Sequence, residues 1–174
     1  MLNKLVRILV GIAIVGGLLW AAYTFLPLNL TGGVRQWIQE TFHSDLKPVA
    51  DAARDAEVYT VDPLTKKMVK SGITYKELIE KNCDSVSWYV TESGDGWNVE
   101  CNGYKVTIQV DDLVTPNNSK TWTDAHLTMV CSVERDTYGN YKLTNIRMFI
   151  NDDPELSADY VNLVIDDLLS KVNP

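Results

Sequence analysis

SVSWYVTESGDGWNVECNGYKVTIQV, residues 85–110, carries the clearest structural pattern in this chain. Apolar side chains occupy every second position in residues 86–90 and again in residues 97–101. Such alternation is typical of strands that turn one face towards a core. Gly94 and Gly96 lie between the two runs and indicate a turn. The stretch is therefore predicted to begin with a β-hairpin.

The dipeptide Asn102-Gly103 follows the second strand and is a strong signal for a tight hairpin turn. We therefore expect a third strand at residues 104–110, followed by a polar loop at residues 111–120 that contains Pro116. Two longer strands are predicted around residues 127–133 and 146–150, because apolar residues alternate in both.

Helices are predicted on both sides of these strands. Thr74 and Glu77 match a capping box, which predicts a helix at residues 75–82. Pro48 suits the first turn of a short helix that runs to about Ala56. A closing helix is expected with Asp153 as its cap and Pro154 in its first turn, and its apolar stripe needs a surface to cover. That stripe consists of Val161, Val164, Ile165, Leu168 and Val172.

The predicted fold class is α+β. A strand at residues 57–62 precedes the strands described above, and the strand runs come together instead of alternating with helices. We expect an antiparallel β-meander sheet of about five strands, covered on one face by helices.

Residues 8–28 contain no charged side chain and are mostly apolar. An α-helix rises 1.5 Å per residue, so about 20 residues cross a hydrocarbon core of about 30 Å. Lys4 and Arg7 precede the segment, and the next basic residue is Arg35. Because positive charge stays on the cytoplasmic side, the N-terminus is expected in the cytoplasm and the C-terminal domain outside it.

A cleaved signal peptide is the alternative to a retained anchor. Its apolar region is usually only about 7 to 15 residues long, and cleavage after Ala22 would place bulky Trp20 where a small residue is needed. A signal anchor in the inner membrane is therefore favoured. The chain then divides into a cytoplasmic N-terminus, a transmembrane helix, a juxtamembrane helical segment and a periplasmic domain, at residues 1–7, 8–28, 29–57 and 58–174.

Ala13, Gly17 and Ala21 recur every four residues within the predicted span. Small residues at this spacing let a second helix approach closely in a membrane. The pattern indicates another membrane protein as partner, although small residues in such helices also face lipid harmlessly.

The juxtamembrane segment is amphipathic, with Val34, Trp37, Ile38 and Phe42 at helical spacing after the pair Gly32-Gly33. Two placements are open for it. The segment lies on the bilayer surface, or it packs on the domain.

The charge distribution argues against nucleic acid as a partner. Lys4 and Arg7 are the only charges before Arg35, which leaves 14 basic and 23 acidic residues, a net charge of −9, on the rest of the chain. Nucleic-acid binding needs clustered basic residues that neutralise phosphates.

Three side-chain sets were considered for chemistry. Cys83, Cys101 and Cys131 would lie in a compartment where a disulfide persists, with buried free thiols as the alternative. Zinc is not expected, because the chain has only two histidines and neither belongs to a ligand motif. Asp124, His126 and Cys131 do not make a catalytic trio, because strand alternation points the first two away from the third and leaves His126 facing solvent. No cofactor is expected.

Several tryptophans and tyrosines lie in or beside the predicted strands. If exposed in a row, these rings would stack on sugar rings or on a partner protein, although aromatic residues are favoured in strands in any case. The candidates for such an aromatic surface are Trp88, Trp97 and Trp122.

Short segments of the chain are similar to those of known domains, over about residues 58–172. They are Val69-Lys70-Ser71-Gly72, the capped helix of residues 74–82, Trp88, Val99-Glu100-Cys101-Asn102-Gly103 and Phe149-Ile150-Asn151-Asp152-Asp153-Pro154. In their order they resemble uncharacterised bacterial envelope domains anchored by one transmembrane helix. The resemblance implies an extracytoplasmic, non-enzymatic domain with no catalytic residues.

Two functions are therefore expected from the sequence. The first is a non-enzymatic accessory or assembly subunit of a bacterial envelope membrane complex. The alternative is a periplasmic binding module that presents aromatic residues to a glycan or peptide ligand.

Overall fold

A computed structural model describes residues 16–17, 21, 28–62, 64–65, 67–111, 118–151 and 153–172 of the chain. Its helices are α1 (Leu28–Phe42), α2 (Lys47–Arg54), α3 (Tyr75–Asn82) and α4 (Ala158–Val172), with a short 3-10 helix at Ser44–Leu46. Its strands are β1 (Glu57–Val61), β2 (Met68–Thr74), β3 (Ser85–Ser93), β4 (Gly96–Asp111), β5 (Ser119–Arg135) and β6 (Tyr141–Ile150).

The strands form two antiparallel sheets. Strands β3, β4, β5 and β6 pair in sequence order as a meander, and β1 pairs with β2 as a separate hairpin. This confirms the α+β class and the antiparallel meander, but the meander has four strands instead of about five. Strand β2 at residues 68–74 was not predicted from the sequence.

The hairpin predicted from residues 86–101 is confirmed. Ser93 pairs with Gly96, and Gly94 in the turn between them has a φ of +58°. Such left-handed backbone favours glycine, which has no Cβ to clash with the chain. The turn residue type therefore explains why the chain reverses at this point.

The turn predicted at Asn102-Gly103 is wrong, because β4 passes through both residues without interruption. The glycine serves a close approach instead of a turn. A Cβ at Gly103 would lie 2.5 Å from the Sγ atom of Cys83, so a larger residue would force the Cys83 side chain to move. The side chain of Asn102 is buried in a polar network that is described below.

The capping box is confirmed at the start of α3. The Thr74 hydroxyl accepts from the backbone N–H of Glu77, and the Glu77 carboxylate accepts from the backbone N–H of Thr74. The short helix after Pro48 is also confirmed as α2.

The closing helix begins at Ala158, four residues later than predicted. Residues 153–157 precede it without regular secondary structure, and the backbone N–H of Leu156 donates to the carbonyl oxygen of Met148 on β6. This bond ties Leu156 to the edge of β6, and the helix begins two residues after it. The backbone N–H of Val161 donates to the carbonyl of Ser157 in the first turn.

Helices α2, α3 and α4 cover one face of the four-stranded sheet. The predicted inward positions Leu127, Met129 and Met148 are at most 1% exposed. Helix α4 contributes Val161, Val164, Ile165 and Leu168 to this core, as its stripe predicted. Helix α2 adds Val49, Ala50 and Ala53, so the predicted juxtamembrane segment supplies part of the same core.

Helix α1 lies along the free edge of β3, which favours the second of the two placements left open for this segment. The side-chain amide of Gln39 accepts from the N–H of Val90 and donates to its carbonyl, both at 2.6 Å. The N–H of Trp88 donates to the side-chain oxygen of Gln36. The two glutamines thereby occupy the backbone groups that an additional strand would use.

The pair Gly32-Gly33 lies inside α1 and does not interrupt it. Gly32 is buried against β3, where a Cβ would lie 2.2 Å from the Oγ atom of Ser87 and 2.7 Å from its Cβ atom. Gly33 faces open space. The first glycine is therefore a packing requirement of α1.

Among the residues that the structure describes, no helix combines the length and apolar character needed to cross a membrane. The predicted span at residues 8–28 lies outside these residues, apart from Gly16, Gly17, Ala21 and Leu28.

Replacing Gly32 with alanine is expected to lower the free energy of unfolding by about 1 to 3 kcal/mol, because the new methyl group overpacks the contact with Ser87. Thermal unfolding of the full-length chain in detergent, followed by circular dichroism, measures the effect.

Gly33→Ala is the matched control, and we expect it to stabilise α1 by about 0.5 to 1 kcal/mol through helix propensity alone. Equal effects of the two alanines would contradict the close contact between α1 and β3. Gly32→Ala combined with Ser87→Gly should recover most of the loss.

Candidate functional site

A groove of about 610 Å³ separates the hairpin β1–β2 from strand β6. One wall is formed by hairpin side chains, and the other by residues 141–146 of β6. Helices α2 and α4 form the floor. The volume falls within the range of about 300 to 1,000 Å³ that is usual for ligand sites.

The hairpin wall presents apolar side chains to solvent. Register pairs Tyr59 with Lys70 and Val61 with Met68, so these four side chains share one face. Tyr59 is 45% exposed and Met68 is 58% exposed. The opposite face is anchored in the domain, since Val58 is buried and the Thr60 hydroxyl donates to Asp166 on α4 at 2.6 Å. The exposed face of the hairpin is thereby held towards the groove.

The wall formed by β6 is a strand edge. Strand β6 is the last strand of its sheet, so one side of its backbone has no partner strand in the part of the chain that the structure describes. Six consecutive residues, 141–146, line the groove. Because side chains alternate between the two faces of a strand, an uninterrupted run indicates that the backbone edge itself borders the groove.

The floor of the groove has small side chains. They are Ala52 on α2, Ala56 just after α2 and Ala158 at the start of α4. Tyr75 also reaches the floor from the first turn of α3. Burial raises the pKa of its phenol to about 12, so this group is neutral at physiological pH. The floor is therefore uncharged and mostly apolar, with Asn162 of α4 as a polar residue in it.

The charged groups of the groove lie in its walls. The Glu57 carboxylate accepts from the Lys70 ammonium at 2.7 Å and from the backbone N–H of Gly72 at 3.1 Å. The Lys70 contact is the main reason that the pKa of Glu57 is lowered. Lys142 on the β6 wall is exposed and makes no ion pair within the described part of the chain. The residues that line the groove thus carry one more positive than negative charge, although Glu134 lies opposite Lys142 on β5 and the domain is acidic.

A second polar cluster lies on the opposite face of the sheet. Asn102 is 1% exposed, and its side-chain oxygen accepts from the Thr128 hydroxyl at 3.0 Å and lies 2.8 Å from the Nε2 atom of His126. Its side-chain nitrogen donates to Glu100. The ring of Tyr104 stacks on His126, with centroids 4.4 Å apart. His126 is therefore half-buried and hydrogen-bonded, and not the solvent-facing residue that was expected.

The proposed aromatic surface is not formed. Trp88 is 3% exposed and Trp122 is 8% exposed, because both rings belong to the core. Trp97 is half-buried and meets Tyr141 edge-on, with centroids 5.2 Å apart. The strand alternation that made these residues candidates also turns them inward.

The three cysteines are free thiols, so the possible disulfide is absent from the structure. Cys101 lies opposite Met129 and Cys131 lies opposite Val99. The two thiols are thus diagonal neighbours, at a spacing of about 7 to 8 Å between Cα atoms, which exceeds the usual span of a disulfide. Burial raises the pKa of Cys83 and of Cys131 to about 12, which disfavours their reactive thiolate forms.

The small-residue face of the predicted membrane helix is described only in part. Ala13 lies outside the described residues. Gly17 is exposed and a Cβ there would meet open space, whereas Ala21 is half-buried. The packing role of the three residues stays a prediction.

The candidate catalytic and metal-binding residues do not converge. His126 belongs to the outer-face cluster, whereas Cys131 is buried on the core side of β5. Within the described residues, His, Cys, Asp and Glu side chains form no group of three that could hold a metal ion.

Comparison with protein-family models, with curated proteins and with solved structures finds no match to this chain. The resemblance to bacterial envelope domains therefore stays an interpretation of the sequence.

Protection of the hairpin β1–β2 against amide exchange is expected to depend on pH through Glu57. A lowered pKa means that the carboxylate stabilises the folded hairpin above the ordinary value of 4.5, and that this contribution is lost as the pH falls through the lower folded value. Protection factors of β1 and β2, measured from pH 3 to pH 7, should be constant above about pH 5 and fall below it.

Glu57→Gln should reduce protection at neutral pH and weaken the pH dependence. Asp62, whose pKa is lowered mainly by the backbone N–H of Thr65, contributes with the same sign, and Asp62→Asn separates its share. If the protection factors of the hairpin do not change in Glu57→Gln, the Glu57–Lys70 pair does not stabilise the hairpin.

Replacing Asn102 with aspartate is expected to lower the free energy of unfolding by about 2 to 3 kcal/mol. The new carboxylate cannot donate to Glu100 and would place a second negative charge beside it. Thermal unfolding measures the loss.

Asn98→Asp is the control, because Asn98 lies on the same strand and face but is less buried and accepts only a 3.4 Å hydrogen bond from Ser132. Similar losses for both variants would contradict the central place of Asn102 in the cluster.

Proposed function

We propose that this chain is a non-enzymatic accessory or assembly subunit of a bacterial envelope membrane complex. Residues 8–28 form a single transmembrane helix that anchors it in the inner membrane, with the N-terminus in the cytoplasm. The domain lies in the periplasm and holds a partner protein in the groove between β1–β2 and β6.

The groove carries this proposal. Soluble domains seldom expose contiguous apolar surface without a function, and such surface commonly marks a protein interaction site. Tyr59, Val61 and Met68 form an exposed apolar face, and the facing wall is a strand edge with backbone groups available for hydrogen bonding. Both properties suit a polypeptide partner.

The membrane part of the proposal is supported by the sequence pattern. The charge-free segment has the length of a membrane span, and the charges at Lys4 and Arg7 favour a cytoplasmic N-terminus. Ala13, Gly17 and Ala21 recur every four residues, and such small residues allow close contact with a second membrane helix. The anchor and the groove would then engage the same complex at two places.

A binding module for a free peptide is the second candidate, and the same groove favours it. A glycan ligand is less favoured, because the tryptophans Trp88 and Trp122 are buried and cannot stack on sugar rings. The two candidates differ in whether a membrane protein is bound stoichiometrically.

Purification of the tagged full-length chain from its native membrane in mild detergent, with quantitative mass spectrometry, tests the proposal. We expect a stoichiometric membrane partner whose recovery falls at least about ten-fold with Met68→Asp, because a carboxylate on the apolar wall disfavours burial against a partner. Gly17→Leu should reduce recovery by blocking helix contact.

Tyr138→Asp is the matched control, because Tyr138 is 90% exposed at the β5–β6 turn and does not line the groove. If recovery of the partner is unchanged in Met68→Asp, the groove is not the binding site. A chain that purifies alone in every case would contradict the subunit function and favour the free-peptide candidate.

A further inference from the structure

We propose that the occupant of the groove is an extended, acidic segment of the partner protein, which adds to the sheet as a strand beside β6. This inference rests on the proposed function and specifies the chemistry of the partner. The backbone of the segment would pair with residues 141–146, and a carboxylate on it would meet Lys142.

The distribution of edge protection supports strand addition. Edge strands expose backbone groups that readily pair with another chain, and proteins usually cover them. The edge of β3 is covered by the side chains of Gln36 and Gln39. The far end of β6 is covered where the N–H of Leu156 bonds to Met148. Within the described residues, the edge at 141–146 has no such cover and borders a groove.

The groove offers two different surfaces to an extended segment, as peptide-binding edges do. Main-chain hydrogen bonds to β6 would supply affinity that depends little on sequence. Tyr59 and Met68 on the hairpin and the alanines on the floor would contact alternate apolar side chains. An alternating apolar and polar segment therefore fits the site.

Charge complementarity identifies the polar part of the segment. The chain after the predicted membrane span has a net charge of −9, yet the groove holds two lysines and one glutamate. Glu57 is already engaged by Lys70, whereas Lys142 makes no ion pair among the described residues, although Glu134 lies opposite it on β5. An incoming carboxylate would pair with Lys142, and an incoming lysine would be repelled.

A second copy of this chain is a poorer occupant. The β5–β6 pairing is irregular at residues 143–145, where Thr144 has no direct partner and its hydroxyl donates to the carbonyl of Ser132. Bulges of this kind are a means by which natural edge strands avoid pairing with one another. Two copies would bring this irregularity on both strands, whereas a regular partner strand meets it on one strand only, so a partner strand is favoured over self-association.

The test uses the full-length, isotope-labelled chain in lipid nanodiscs and synthetic peptides as probes. The glutamate peptide is a capped nonapeptide in which valine alternates with threonine and the central threonine is glutamate. The lysine peptide has lysine at the centre. A third peptide repeats the glutamate sequence with alternate backbone nitrogens methylated, which removes the donors needed for strand pairing.

The glutamate peptide should slow amide exchange in residues 141–146 and bind at least about ten-fold more tightly than the lysine peptide. Lys142→Glu should reverse this order. Lys76→Glu, an exposed charge reversal on α3 outside the groove, should leave it unchanged. The methylated peptide should give no protection.

Three results would overturn the inference. The glutamate peptide does not bind, it binds without protecting residues 141–146, or Lys142→Glu leaves the order of peptide affinities unchanged. The proposed function is tested separately. If Met68→Asp loses the native partner while the peptides leave β6 unprotected, the partner uses the groove in another way and only the strand addition fails. If the peptides protect β6 but no membrane partner co-purifies, the strand addition stands and the subunit function fails.

Discussion

Strands β4 and β5 pair along nearly their whole length, from Trp97 opposite Val133 to Asp111 opposite Ser119. The two strands supply a central ladder on which β3 and β6 are added as outer strands. Their inward side chains form one continuous apolar face, and three helices must cover it because that face would otherwise remain in water. The long ladder therefore fixes both the core and the number of open edges.

An open four-stranded sheet has two edges, and the chain treats them differently. On β3, two glutamine side chains replace a neighbouring strand, and Gly32 lets their helix come close enough to do so. On β6, the backbone of Leu156 covers the end near Met148 and leaves residues 141–146 beside an apolar hairpin. The candidate site is thus the part of the β6 edge, residues 141–146, that no other described segment covers.

Local patterns predicted the elements better than the site. Alternation located the core positions Leu127, Met129 and Cys131, and the capping box placed α3, because both signals depend on neighbouring residues only. The turn predicted at Asn102-Gly103 was wrong because both residues are required by contacts with distant parts of the chain. Gly103 packs against Cys83, and the Asn102 side chain is hydrogen-bonded to His126. The groove could not be predicted, since its walls come from segments more than 70 residues apart. The exposed apolar side chains of residues 59–69 were the one available hint.

The docking of α1 bears on how the domain could stand at a membrane. Helix α1 is described from Leu28, the last residue of the predicted span. The side-chain amides of Gln36 and Gln39 and the close contact at Gly32 hold this helix against β3. If residues 8–28 cross the bilayer as proposed, α1 begins where the anchor ends and joins it to the sheet. The groove would then stand at a set height above the lipid, which raises the effective concentration of a partner segment presented at that height. A segment offered nearer to or farther from the bilayer would be excluded by geometry alone.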